Sequence, residues 1–449
     1  MSTNTASAPG SGFTTDSSAS NVRWIVCGLL FLATTINYMD RNVFGYVEPL
    51  LHDVAFMGWN HAADKFHQPV FDDNFGTVIM FFQIAYGVGF IVAGRVIDKL
   101  GTKVGYALAI LIWGLASMSH SVVTSVAGFC VARIFLGLGE SGNFPAALKA
   151  VSEWFPTRER AKAVGLFNSG SNASALVAPP LVAFVSAKWG WQAAFIATGS
   201  MGMAWLVLWT LFPYNRLRGA STQTQANLAA DFAEAAESGG AIPLSALLQR
   251  PGLYAFALGK ALTDGVWWFY LFYLPQFLNR NYNLTLKQAY PYLLTVYVIS
   301  SVGSIAGGSL SGSLMANGRS VNAGRKIAML VMALCVMPVI FVPHMSTIFA
   351  TNAWPATLLI ALAAAAHQGW SANLFSTPGD MFPSTAVSTV VGVGGAAGAV
   401  GGAAFTWIVK RNLSLHQLLV FSMAAGAYVV ALAVFQLLVP HIGVSRKAA

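Results

Sequence analysis

Charge is what this sequence lacks most. Only 9% of its 449 residues are Asp, Glu, Lys or Arg, against roughly 25% in ordinary soluble domains. With 56% of the chain hydrophobic, the shortage excludes a water-soluble globule and assigns the bulk of the chain to lipid. Cysteine is scarce as well. Cys27, Cys130 and Cys335 all fall in apolar runs, where a thiol serves as a small packing residue, so a disulfide framework is excluded. There is no Gly-x-x-x-x-Gly-Lys-Ser/Thr loop to cradle phosphates, which removes the obvious route to ATP-driven work. No nucleophile-and-base constellation stands out, so the chain is not expected to be an enzyme or to hold a cofactor. The alternating pattern of a membrane β-barrel is missing too.

What is there is a series of long apolar runs. Crossing about 30 Å of hydrocarbon takes about 20 mainly apolar residues in a helix. Twelve runs meet that need, at about 22–46, 74–98, 104–122, 125–149, 162–187, 191–213, 252–278, 287–315, 326–346, 354–377, 387–409 and 415–439. A helix satisfies its own backbone groups in lipid, so the expected fold class is an all-α membrane protein of twelve transmembrane helices. Residues 1–21, rich in Ser, Thr, Ala and Gly, lack the basic start and cleavage site of a signal peptide and are expected to be a disordered tail.

The net charge of +9 raises the question of nucleic acid, and its distribution answers it. With both termini placed in the cytoplasm, sixteen basic residues fall on the cytoplasmic side and six outside, and Arg41, Arg133 and Lys260 lie within helices, accounting for all 25. The positive-inside rule explains that asymmetry without a polyanion partner.

A polar stretch, residues 214–249, separates an expected first bundle at 22–213 from a second at 250–440, with a short tail at 441–449. The halves repeat. Glu153-Trp154-Phe155-Pro156, leading to Gly165, matches Asp380-Met381-Phe382-Pro383, leading to Gly392, at a constant offset of 227 residues. Parallel duplication of this kind is a signature of transporters that rock two bundles about a central site.

At this point the sequence resembles the major facilitator superfamily. Gly94-Arg95-Val96-Ile97-Asp98-Lys99-Leu100-Gly101-Thr102-Lys103 looks like its loop motif between the second and third spans, and Arg133 to Gly137, Gly139 and Pro145 look like its fourth-helix motif. Asp98 is able to pair with basic residues at neighbouring helix ends in one conformation and release them in another; the plainer reading is an ordinary loop charge. Where the second half should repeat the loop, Gly312 stands near the expected acid. Any gating latch is therefore expected to be asymmetric.

An ionised side chain at mid-helix costs about 2.5–3.5 kcal/mol even on lenient insertion scales, so the charges inside the spans should be paired and kept for a reason. Asp40 and Arg41 follow Asn37 and Tyr38 in the outer part of the first helix; Arg133 and Glu140, seven residues apart, project from nearly the same face of the fourth. One reading is a static staple between these helices, and for Arg133 it stands level with a role in coupling. The other is an anion and proton carrier. In that reading Arg41 offers a planar fork to a carboxylate. Asp40 or Glu140 then switches between charged and neutral as the substrate comes and goes, because desolvation favours the neutral form and a nearby Arg the charged one.

These residues narrow the resemblance to the anion:cation symporter family. Asn37-Tyr38-Met39-Asp40-Arg41-Asn42 and the stretch from Arg133 through Glu140 and Asn143 to Pro145 look like its signatures. The segments Lys260 to Tyr270 and Ala366 to Asn373 look most like bacterial hexuronate permeases. The resemblance implies proton-coupled uptake of a sugar acid such as glucuronate or galacturonate, with Asp40 and Glu140 carrying protons and Arg41 and Tyr86 contacting substrate.

Lys260 and Asp264, four apart on the seventh helix, suit an ion pair or a substrate contact. Within the cluster Trp267 to Tyr270, Trp268 and Tyr270 are the candidates for a face against a sugar ring. His367, Gln368 and Asn373 are polar groups in an Ala-rich helix, suited to hydroxyl recognition or to bonds between helices. His52, His61 and His67 in the loop 47–73 match no standard metal spacing, so no metal is expected. The expectation is a monomeric proton-driven symporter of a small organic anion in a bacterial inner membrane, working by rocker-switch alternating access. Its alternatives are an organic-anion exchanger without net proton coupling and a transporter-like solute receptor.

Overall fold

The computed structural model describes residues 17–51, 54–57, 68–220, 242–284, 286–412 and 416–443. The first sixteen residues of the N-terminal tail, the three loop histidines, residues 221–241 of the central loop and the last six residues lie outside them.

Twelve helical segments make up the fold. The first six are α1 (Ser17–Tyr46), α2 (Gln68–Leu100), α3 (Thr102–Ser119), α4 (Val126–Glu140, resuming as Asn143–Trp154), α5 (Thr157–Asn168, resuming as Gly170–Trp189) and α6 (Trp191–Leu211). The second six are α7 (Pro251–Tyr282), α8 (Leu286–Ala316), α9 (Val321–Val336, running through a 3-10 turn into Val342–Ile348), α10 (Trp354–Leu374, followed by Thr377–Met381), α11 (Ser384–Asn412) and α12 (Gln417–Leu438). Among the described residues, nine of the twelve are long and apolar enough to cross a membrane. The other three, α4, α7 and α10, hold Arg133 and Glu140, Lys260 and Asp264, and His367, Gln368 and Asn373.

The break in α4 has a local cause. Pro145 has no N–H to give the Ser141 carbonyl, so the helix closes with Gly142 N–H bonded to Gly139 O at 3.1 Å and restarts at Asn143. Glu140 therefore ends the first rod of α4 instead of lying mid-helix.

Small residues set the packing, as expected where lipid gives helices no hydrophobic drive toward one another. In α8, Gly303 and Gly307 lie against Ala365 and Gly369 of α10, and a Cβ on Gly307 would fall nearer the Gly369 backbone than real Cβ atoms come. Overpacking of this kind costs about 1–3 kcal/mol. Gly307→Val is therefore expected to lower the unfolding temperature in detergent, while Gly28→Ala, with nothing within 4 Å of the added carbon, should leave it unchanged. Equal melting of the two variants would remove the packing argument.

The two bundles, α1–α6 and α7–α12, meet along α2 against α11 and α5 against α8. At one end of the molecule this junction is tight. Gly94 touches Ser388, Gly165 touches Ser304, and Gly308 touches Ala161, so backbones approach without side chains between them. Two carboxylates bind across it. Asp98 accepts from Lys149 Nζ at 2.8 Å within its own bundle, and from the Thr389 N–H (2.7 Å), the Thr389 hydroxyl (2.6 Å) and the Ser388 N–H (3.3 Å) at the start of α11. Asp380 accepts from Arg160 of α5 at 3.0 Å and Arg325 of α9 at 2.8 Å, while Arg160 also donates to Gly379 O and Arg325 to Thr157 O at 2.7 Å.

The two halves place these carboxylates asymmetrically. The second-half carboxylate comes from the end of α10, not from the loop near Gly312, whose Cα faces the Arg158 carbonyl. Glu153, which matches Asp380 in the repeat, binds Thr102 (2.9 Å) and Tyr214 (2.7 Å) inside the first bundle. Removing one partner of a buried pair costs about 3–5 kcal/mol, so Arg325→Met should loosen this end. The readout is labelling of Ser304→Cys by a membrane-impermeant thiol reagent, expected to speed up at least ~10-fold; an unchanged rate would show that Asp380 does not hold the junction.

Candidate functional site

Above the junction, α1 and α4 of the first bundle place Arg41 beside Glu140, Nε to Oε2 at 2.9 Å. The Glu140 side chain is fully buried, whereas that of Arg41 is 17% exposed. Arg41 also donates through Nη2 to Asn37 Oδ1 at 3.3 Å, one helical turn back. Its guanidinium lies over the rings of Tyr86 (4.3 Å) and Tyr38 (4.6 Å), where ring quadrupoles favour a cation. Glu140 Oε1 has no hydrogen-bond partner among the described residues. The result is a guanidinium held on three sides whose carboxylate partner is only half satisfied.

Asp40 and Arg133 stand apart from this pair. Successive helical residues point about 100° apart, so Asp40 faces into its own bundle. There it accepts from Ser117 Oγ at 2.7 Å, and its Oδ2 has no partner among the described residues. Arg133 is buried, donates to the Arg41 backbone carbonyl at 3.2 Å and lies over Phe44 at 4.4 Å. It thus ties α4 to the α1 backbone. Neither residue makes an ion pair within 4 Å among the described residues.

Across the junction, Lys260 and Asp264 pair at 2.7 Å, and Lys260 Nζ sits over the Phe375 ring at 4.1 Å. His367 Nδ1 bonds the Tyr428 hydroxyl at 2.6 Å. Its ring stacks on Trp267 at 5.2 Å, while Trp268 packs beside Gly402. Tyr270 is buried beside a small apolar void with Phe269 and Phe421. Asn373 donates to Gly307 O (2.8 Å) and Gly369 O (2.9 Å), inside the α8–α10 contact. Gln368 instead accepts from Asn168 of the first bundle at 2.6 Å. With Phe144 stacked on Phe375 at 5.2 Å, that amide pair floors the space between the bundles. Among the described residues no cluster is suited to a metal ion.

The pattern of twelve helices in two bundles with paired charges between them agrees with sequence comparison: the Major Facilitator Superfamily profile matches residues 30–406. The chain belongs to the major facilitator superfamily. It is a multi-pass membrane transporter and not an enzyme. Among members of the superfamily, it is 29% identical over 380 residues to a hexuronate transporter of Escherichia coli (strain K12), covering 83% of this chain and 84% of that one. It is 30% identical over 292 residues to a galacturonate transporter of Dickeya chrysanthemi, covering 64% and 81%. In structure it matches a proton:xylose symporter bound to 6-bromo-6-deoxy-D-glucose, with a TM-score of 0.76 at 14% identity over 94% of this chain and 97% of the other. That likeness speaks for the fold.

Proposed function

We propose that this superfamily member is a proton-driven symporter of a small organic anion, a sugar acid of the glucuronate or galacturonate class, and that it works as a monomer in a bacterial inner membrane. Both termini then face the cytoplasm, the side to which the positive-inside rule assigns most basic residues. The hexuronate and galacturonate transporters to which the chain is similar support the substrate class.

The observation that carries the reading is the Arg41–Glu140 pair, in which the carboxylate is fully buried and the Arg41 side chain is 17% exposed. A substrate carboxylate docking on Arg41 competes with Glu140 for the same fork. A buried carboxylate that loses its counter-charge takes up a proton in place of it. Anion and proton therefore load together, and the pair re-forms when both leave. Asp40, held by Ser117 next to Arg41 in the chain, supplies a second protonation site. The energetics agree in sign. Carrying one negative charge into a negative-inside cell costs about 2.3 kcal/mol per 100 mV; one proton cancels that cost and two reverse it. The tight end of the junction, with Asp98 and Asp380 engaged, is the cytoplasmic gate of the rocker switch in its closed position.

The test is transport itself. Proteoliposomes holding the purified chain, given an inward proton gradient, should accumulate labelled glucuronate or galacturonate above equilibrium. Exchange without gradient-driven accumulation would favour the antiport reading, and no movement of any sugar acid would sink the substrate class.

A further inference from the structure

At the tight end of the junction a shallow, open cavity of about 650 Å³ lies between the bundles, lined by Arg23 of α1, Thr157 and Arg158 at the start of α5, and Arg319 and Ser320 at the entry to α9. It is on the far side of the Asn168–Gln368 floor from Arg41 and shares no residue with the transport site. Among the described residues that line it, three are arginines and none is acidic.

Glu159 pairs with Arg23 at 3.0 Å and reaches Arg158, whose side chain is 66% exposed, only at 4.0 Å. Arg319 is exposed and makes no side-chain hydrogen bond or ion pair among the described residues. Its position is nevertheless fixed. Gly318, at φ 85°, takes the left-handed conformation that ends α8. The Arg319 N–H then bonds Leu314 O at 3.0 Å, and Ser320 caps α9 by accepting from the Ala323 N–H at 3.2 Å. The first residues of α5 and α9 both wall the cavity, so the positive ends of two helix dipoles add to the arginines.

We propose that this cavity binds a phosphate-bearing anion, the headgroup of an anionic phospholipid or a soluble phosphate ester, and that its occupant holds this end of the transporter shut. Guanidinium forks and helix N-termini are the groups that recognise phosphate oxygens, and basic pockets between helices at a membrane face take acidic headgroups. Control of the cycle follows from ownership. Arg23 and Arg158 belong to the first bundle and Arg319 to the second, so the site is whole only while the bundles touch. A ligand that binds only the closed arrangement shifts the population toward it.

The experiment uses the full chain carrying Ser304→Cys in phosphatidylcholine nanodiscs, compared with discs containing phosphatidylglycerol and with phosphatidylcholine discs given inorganic pyrophosphate. The expected result is a higher unfolding temperature and at least ~5-fold slower thiol labelling with one or both probes, and loss of both effects in the R158Q/R319Q double variant. An effect of phosphatidylglycerol alone identifies a lipid headgroup; an effect of pyrophosphate in phosphatidylcholine identifies a soluble phosphate. Should the double variant prove unstable, R319Q alone, at an exposed position, serves the same purpose. No response to either probe, or a full response in the arginine variants, overturns the proposal. Neither result touches the sugar-acid reading, which is tested by substrate accumulation.

Discussion

Arg41→Gln is expected to raise the substrate concentration for half-maximal transport by about 100-fold or more, the equivalent of roughly 3 kcal/mol. The substrate carboxylate loses a charge-assisted, two-pronged partner. Glu140, fully buried, also loses its counter-charge, and breaking a buried pair from one side costs about 3–5 kcal/mol, a cost borne by the stability of the empty carrier and not by the affinity. Arg41→Lys should fall between wild type and Arg41→Gln, because an ammonium keeps the charge without the planar fork or the stacking on Tyr86 and Tyr38. Uptake kinetics in proteoliposomes over a range of sugar-acid concentrations measure it. A half-saturation value for Arg41→Gln near that of wild type would mean that the anion docks elsewhere, with Lys260 the next candidate.

Glu140→Gln is expected to abolish uphill accumulation while leaving counterflow exchange. Glutamine keeps the shape and accepts from Arg41 Nε, but it neither gains nor releases a proton. The variant therefore resembles the permanently protonated carrier, which cycles loaded and cannot return its proton. Counterflow needs only the loaded return and survives; concentration against a gradient needs the deprotonated step and fails. Both assays run on one preparation, so a folding defect would show as loss of both. A variant that still concentrates substrate would strip Glu140 of the coupling role and leave Asp40 to carry it.

Much of the fold was legible because lipid is a demanding solvent. Long apolar runs had to be helices, and Arg41 and Glu140 stood out because ions are rare in such runs. The 227-residue repeat located two equivalent positions, Glu153 and Asp380, but not their different work. Glu153 bonds within its bundle, whereas Asp380 binds Arg160, 220 residues away. That pairing depends on how two rigid bundles meet, which no local pattern encodes. Asp40 and Arg41 are neighbours in sequence, yet helical geometry turns one toward Ser117 and the other toward Glu140. The Trp267–His367 stack was hidden for the same reason: adjacent tryptophans differ only in the face they occupy. The α4 break was written in Pro145, whose effect falls four residues upstream of the proline itself.

The glycine contacts at the junction bear on what each turnover demands of the protein. Where Gly94 meets Ser388 and Gly308 meets Ala161, the parting surfaces are largely backbone and small side chains. A long side chain frozen on closure forfeits up to about 2 kcal/mol of rotational freedom, and glycine and alanine forfeit none. Bundles that touch through such residues separate and rejoin there with little disorder gained or lost, so the cost of opening falls on the bonds of Asp98 and Asp380.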